Sequence, residues 1–480
     1  MKVALVHYHL QPGGVTRVIE NTVEAWKAND AGPEDYVILS GRPYPGNKLQ
    51  NVRVVEGLDY MDLSNAPDSS VLKERMQEAV RSALGQLPDI WHIHNHSLGK
   101  NAGLSGAVAE LAKSGARLLL QPHDFAEDGR PQNFRNLGEV RALLYPTAGQ
   151  IHYAALNRRD QSFLQSTLDD FNSPVHLLAN AIPQQSASNP NEDQSHFPEL
   201  PENLILYPVR AVRRKNLGEL ALLSATHPEF HFANSLGPTN PAFHSIYQNW
   251  IEYAQHHQLS LTYGLGEQTD ASFPEMVNHA KAIVNVSVAE GFGLGFLEPW
   301  TFGKCLIGRN IPEITSDFSD MGVHLDNLYN ELWVDSSLVD QESLKDAIST
   351  ALCSAYQDYQ RKLPADAVNV ATESILNGQG VQFGSLNEDL QKQVITGVQS
   401  SKQESESIRK QAKLQILNEL NIQNNQAAVT ENFSLSAYGA KVFQIYQSIL
   451  ESQSEKANFA DSGKMLDQFL SPERLNLLRA

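Results

Sequence analysis

Residues 282–298 read A-I-V-N-V-S-V-A-E-G-F-G-L-G-F-L-E, and the reading of this stretch decides the fold. The run 282–287 is apolar and β-branched, the pattern of a buried strand. A helical pattern follows, which places Gly291, Gly293 and Gly295 at a strand-to-helix turn. Without side chains, such a turn lets backbone N–H groups approach a ligand closely. The first turn of the helix would add unpaired donors and a partial positive charge, which suit phosphate. Glu290 and Glu298 bracket the turn, one in the loop and one about two helical turns later. Carboxylates are acceptors only, so they are poor phosphate ligands but good partners for hydroxyls. The expectation is a ligand with both phosphates and a sugar, although Gly-rich turns of this kind are also common as plain architecture in α/β proteins.

Outward from this turn, strand-like runs alternate with helical stretches through the first ~360 residues, which implies parallel sheets with crossover helices. Candidate strands in the first half lie at 3–6, 36–39, 52–55, 90–93, 118–120 and 175–178. A second series begins at 204–208 and continues at 230–233, 259–262, 282–286 and 305–307. Between the two series, residues 184–202 are rich in Pro, Gln, Ser and Asn, a linker composition. The fold class expected is α/β, with two doubly wound Rossmann-like domains, at 1–190 and 200–360, joined near residue 195. Residues 363–431 form a polar insertion, helical over 387–420, with an apolar stripe of Leu390, Val394, Ile395 and Val398 followed by Leu414, Leu417 and Leu420. That stripe is read as packing against a domain. A last helix, with Ser434 as N-cap, runs to about residue 450.

Composition narrows the function classes. The chain has 480 residues, 41% hydrophobic and 19% charged, with a formal net charge of −18. Such acidity argues against nucleic acid and weakens any case for docking on anionic lipid. Two cysteines, Cys305 and Cys353, leave no disulfide framework and suit a reducing compartment. No run approaches the roughly 18–20 apolar residues of a membrane span. The opening M-K-V-A-L-V reads as a first strand rather than a signal peptide, so a soluble, cytoplasmic protein is expected.

Three further segments fall where a strand gives way to a loop, the edge at which open parallel sheets bind ligands. Gln11-Pro12-Gly13-Gly14-Val15 precedes a helix, and Gly13 and Gly14 could bring backbone to a phosphate or acceptor. Residues 206–216 crowd four cations, Arg210, Arg213, Arg214 and Lys215, into one loop of an acidic chain. Arg suits phosphate through its fork of donors and Lys through its compact charge. Residues 119–124, L-L-Q-P-H-D, put His123 at a strand end. Alternating His92, His94 and His96 could share one face of a strand. They are not read as a metal site, because ligands usually come from separate elements with Cys or carboxylate support.

The E-x7-E stretch with this glycine spacing resembles the signature of the retaining glycosyltransferases of GT-B fold, family 4. The Gly13-Gly14-Val15 loop is similar to that family's G-G-V loop. Arg210 and Lys215 match its G-R-x-x-x-x-K-G element, with Pro208-Val209 and Asn216 standing where Gly is common. Asn180 and the segment Pro312-Glu313-Ile314 resemble further elements, although with flanking Gly or Pro replaced. The resemblance covers roughly 1–355 and 432–450. It implies two domains facing a cleft and a closing helix, within 432–480, that crosses back onto the first. It assigns His123 and Glu290 to the donor sugar, and Arg210 and Lys215, assisted by Arg214, to the departing diphosphate. Glu298 would hold the ribose, and backbone around Phe292, Gly293 and Leu294 the phosphates. Gly13 and Gly14 also belong to this donor-binding set. The implied activity is transfer of a hexose from a nucleoside-diphosphate sugar to a hydroxyl acceptor, with no cofactor and no metal. An epimerase or hydrolase of sugar nucleotides on the same scaffold, and a non-catalytic binding protein, are the alternatives. Pro299 after Glu298, where Ala is usual, is expected to disturb the helix there.

Overall fold

The computed structural model describes residues 1–29, 32–169, 171–182 and 199–480. Most of the expected linker, residue 195 included, lies outside them. The chain divides into two compact units. Unit one comprises Met1–Pro183, Ala355–Arg361 and Glu431–Ser471; unit two comprises Gln184–Ser354, Lys362–Thr430 and Pro472–Ala480.

Unit one is built on a seven-stranded sheet in the order Val52–Val54, Asp35–Ser40, Lys2–Val6, Ile90–His94, Leu118–Gln121, Ile151–Ala155, Val175–Leu177. Its pairings are parallel, with Val3 opposite Tyr36 on one side and Ile90 on the other. Lys2–Val6 is buried at every position but its first, as a strand covered on both faces must be. The strand Ile151–Ala155 is wholly buried yet absent from the sequence expectation. Its residues I-H-Y-A-A carry little β-branched character, so tertiary pairing rather than local preference makes it a strand. Tyr145–Thr147 pairs antiparallel with Asn458–Ala460, a two-stranded ribbon equally unforeseen.

One face of that sheet is covered by the helices Gly14–Asn29 and Leu435–Glu451, which pack on each other. Ser434 caps the second of these, accepting from Ala437 N at 3.2 Å. Val23, Trp26, Val442, Tyr446 and Ile449 share a core there with Val3 and Leu5. Full burial of each such aliphatic side chain contributes about 1.5–3 kcal/mol.

Unit two repeats the plan with five parallel strands in the order Leu261–Tyr263, His231–Leu236, Leu204–Arg210, Ala282–Asn285, Leu306–Gly308. Numbered within the unit this is 3-2-1-4-5, the order of a doubly wound sheet. Its first strand ends in the cation loop and its fourth feeds the glycine turn.

The polar insertion belongs to unit two but is not one helix over 387–420. Helices Glu388–Ser400 and Lys402–Gln411 are followed by non-helical residues 412–418 and then by Glu419–Phe433. Ser401 explains the first break, because its hydroxyl caps the next helix by accepting from Glu404 N at 3.3 Å. Leu390, Val394, Ile395 and Val398 are buried as the stripe predicts, on the helix Leu217–Thr226. Leu414 and Leu417 are only half-buried, and Leu420 is 65% exposed. Among the described residues no helix is long and apolar enough to cross a membrane.

Candidate active site

In unit two the strand Leu204–Arg210 ends in a single 3-10 turn, Arg213–Lys215, and the helix Leu217–Thr226 begins after Asn216. Val288 N donates to Arg214 O at 3.0 Å, which ties the loop before the glycines to this turn. Below the tie, Tyr207 and Ser287 join their hydroxyls at 2.5 Å. Two residues 75 apart in sequence are thereby brought together: the Lys215 ammonium donates to Glu290 Oε1 in a short ion pair. Both side chains are largely buried. Burial pulls the Lys215 pKa down, Glu290 opposes that shift, and Arg214 adds to it by like-charge repulsion.

Arg214 stays close to Lys215, whereas the two other cations of the loop have partners elsewhere. Arg210 donates to the Gly237 carbonyl at 3.2 Å, across the end of the neighbouring strand. Arg213 forms a two-pronged pair with Glu388 (2.8 and 3.0 Å) and also reaches Leu477 O, which makes it a structural anchor. Glu313 of the P-E segment is engaged by Arg474 at 2.6 and 2.9 Å.

The glycine turn differs from the expected one. Gly293 has φ +90°, and a Cβ there would meet Ile314 Cγ2 at 2.8 Å, so only glycine fits. Gly291 and Gly295 have open space where a side chain would be. No helix of useful length follows. Leu294–Phe296 is a 3-10 turn, and the helix Glu298–Thr301 has four residues. Proline lacks the N–H needed to continue a helix from 294 and is tolerated at a first helical turn, so the helix starts afresh at Glu298. Glu298 therefore opens a helix instead of lying two turns inside one. The expected aid of a helix dipole behind Gly293 is withdrawn, because the aligned peptides that would make it are missing. The Phe292 side chain is buried edge-on against Phe318, with ring centres 5.6 Å apart, and Leu294 is exposed.

In unit one, Gly13 and Gly14 lie exposed at the start of the 16-residue helix Gly14–Asn29, with no side chain pressing on either. His123 follows the strand Leu118–Gln121 and is held twice. Asn95 Oδ1 accepts from its backbone N at 2.6 Å, and its Nε2 meets His94 Nδ1 at 2.9 Å. His94 stacks on His92 with ring centres 4.4 Å apart. His92 in turn bonds Tyr446 Oη and Gln121 Oε1, both at 2.8 Å. Burial lowers every imidazole here: His7 and His123 to about 3, His92 to about 4, and His94 well below the usual value. His123 is thus a neutral hydrogen-bonding group at neutral pH, not a cation. His96 lies beyond the strand and turns to Leu144 O at 3.1 Å, so the three alternating histidines do not share one face. Sequence reasoning noticed His94 but gave it no part beside His123. The signal lay in strand register, which sets His94 opposite Gln121 on the adjacent strand.

No protein-family model matches the chain. The chain is 24% identical to the mannosylglucosyl-3-phosphoglycerate synthase of Petrotoga mobilis over 504 residues, 98% of this chain and 96% of that one. Among solved structures it is similar to sucrose-phosphate synthase from Thermosynechococcus elongatus, with a TM-score of 0.52 and 13% identity over 93% of this chain and 98% of that one. It is likewise similar to Anabaena HepE in complex with UDP-glucose, with a TM-score of 0.51 and 12% identity over 93% and 100%. The chain shares the fold of these structures, the GT-B fold expected from its pattern of strands and helices.

Proposed function

We propose that this protein is a retaining glycosyltransferase of family 4. It moves a hexose from a nucleoside-diphosphate sugar to a hydroxyl of a small soluble acceptor, with no cofactor and no metal ion. The observation that carries this reading is the Lys215–Glu290 pair beside the open glycine turn. A carboxylate that neutralises a largely buried ammonium keeps it positioned until a stronger anion arrives. A donor diphosphate supplies that anion, and Glu290 is then released to the sugar hydroxyls. Arg210 and Arg214 add positive charge on the same loop, the role a metal would otherwise fill.

The bond from the sugar's anomeric carbon to phosphate oxygen breaks as the carbon takes on oxocarbenium character. The acceptor oxygen bonds that carbon from the same face, and its proton passes to the departing phosphate oxygen. Lys215 stabilises the charge that develops on the diphosphate. Glu298 and the backbone of 292–294 hold the ribose and phosphates. Neutral His123 is suited to donate or accept one hydrogen bond to a sugar hydroxyl.

The Petrotoga relative is named for a glycosylated 3-phosphoglycerate. Its likeness along nearly the whole chain favours an acceptor of the hydroxy-acid class, free or already glycosylated. The test is to offer UDP, ADP and GDP sugars with and without phosphoglycerate and its glycosides, in the presence of a chelator. Mass spectrometry then identifies the product and NMR its anomeric configuration. A glycoside of retained configuration, formed only when acceptor is present, is expected. Release of free sugar or a C-epimer without acceptor would identify a hydrolase or epimerase, and binding without turnover a scaffold.

A further inference from the structure

Asn216 follows Lys215 with φ +53°, in the left-handed region that costs a residue with a Cβ more than glycine, although Asn less than most. Here the side chain is completely enclosed and clamped from two sides. Asn216 Nδ2 donates to Glu219 Oε2 at 2.8 Å, and Asn216 Oδ1 accepts from Gln391 Nε2 at 2.9 Å. Glu219 is itself fixed by Arg309 Nε at 2.9 Å and Tyr329 Oη at 2.8 Å. One side of the clamp therefore sits on the helix Leu217–Thr226 and is held by residues that follow the strand Leu306–Gly308.

The other side comes from the insertion. Gln391 lies on the helix Glu388–Ser400, within the segment that the family resemblance leaves uncovered. It has no exposed surface, and its Oε1 has no hydrogen-bond partner among the described residues. A buried unsatisfied amide oxygen costs free energy, so the stripe's packing would be better served by an apolar residue. The chain also makes room for it: a Cβ on Gly218 would collide with Gln391 Oε1 and with Trp250. One helical turn earlier, Glu388 grips Arg213. Positions 388 and 391 share a helix face, and they hold the first residue of the Arg213–Lys215 turn and the residue that closes it.

We propose that Gln391 is a positioning residue for Lys215, acting through Asn216, and that the insertion helix braces the diphosphate-binding turn. This rests on the role proposed for Lys215. Without the Gln391 bond, Asn216 keeps one clamp only, the left-handed conformation relaxes, and the Lys215 ammonium leaves its place beside Glu290. Glycine at 216 reaches positive φ unaided and makes the brace dispensable.

The experiment compares wild type, Gln391→Met, Asn216→Gly and the double variant. Methionine keeps the volume in the core and removes the amide. Two quantities are measured: kcat at saturating donor and acceptor, and backbone amide exchange over residues 210–219 in the ligand-free protein. Gln391→Met is expected to lower kcat at least tenfold and to speed exchange in that segment, and the double variant to recover most of the lost rate. Unchanged exchange in Gln391→Met, or a double variant as slow as Gln391→Met, overturns the proposal. If wild type transfers no sugar, the proposed function fails, while the exchange measurement still decides whether Gln391 braces the turn.

Discussion

At the strand ends of unit one, His92, His94 and His123 are enclosed, uncharged and bonded to one another or to neighbouring amide and phenol groups. At the strand ends of unit two, Lys215 and Glu290 are charged and paired, and behind them Glu219 and Arg309 form a second pair with almost no exposure. Both sheets follow one doubly wound plan. The same topology thus supports a neutral hydrogen-bonding edge and an ionic one, and the difference lies in which side chains the strand ends carry. A neutral edge suits the hydroxyls of a sugar or acceptor; an ionic edge suits a diphosphate.

The largest contrast should appear in acid. His7, His92 and His123 have folded pKa values of about 3 to 4, below the unfolded value of 6.5. The unfolded chain therefore binds more protons between these limits. The stability these groups contribute is complete above about 6.5 and is lost as pH falls toward their folded values. At about pH 4.5, unit one should lose amide protection before unit two does. Equal acid sensitivity of the two units, read by hydrogen exchange, would break the comparison.

Next in size is the inner pair of unit two. Glu219→Ala strands the Arg309 guanidinium and frees Asn216, and should cost about 3–5 kcal/mol in urea unfolding. The Lys215→Ala variant should keep its fold yet lose about 3 kcal/mol of transition-state stabilisation, seen as a fall of roughly a hundredfold in kcat. An unchanged rate with donor in excess would remove Lys215 from the site. A smaller effect separates the glycines. Gly293→Ala strains a positive φ and presses on Ile314, with an expected cost of about 1–3 kcal/mol. Gly291→Ala, with open space around it, should leave unfolding unchanged and weaken donor binding, as calorimetry would show.

Much of this was legible beforehand, for a local reason. Strand-like runs of Val, Ile and Leu marked most strands of both sheets, because a strand covered on both faces reads as a continuous apolar run. The strand Ile151–Ala155 was hidden because I-H-Y-A-A holds a single β-branched residue and becomes a strand only between two neighbours already in place. The glycine turn was recognisable, yet the helix after it was overestimated: Pro299 was seen as a disturbance when it marks a new start. Arg213 read as one more cation, and only its pairing with Glu388 shows it to be an anchor.

The amino-acid order by itself determined the two doubly wound sheets, the glycine turn and the set of charged and imidazole groups available at their edges. These follow from short-range pattern, the alternation of apolar runs with helical periods. Tertiary structure alone decided which of four crowded cations meets Glu290, that His94 supports His123, and that an insertion helix reaches back to Asn216. Those facts depend on contacts between residues 29 to 175 positions apart, and side-chain partners at such range are set by packing and burial rather than by spacing along the chain.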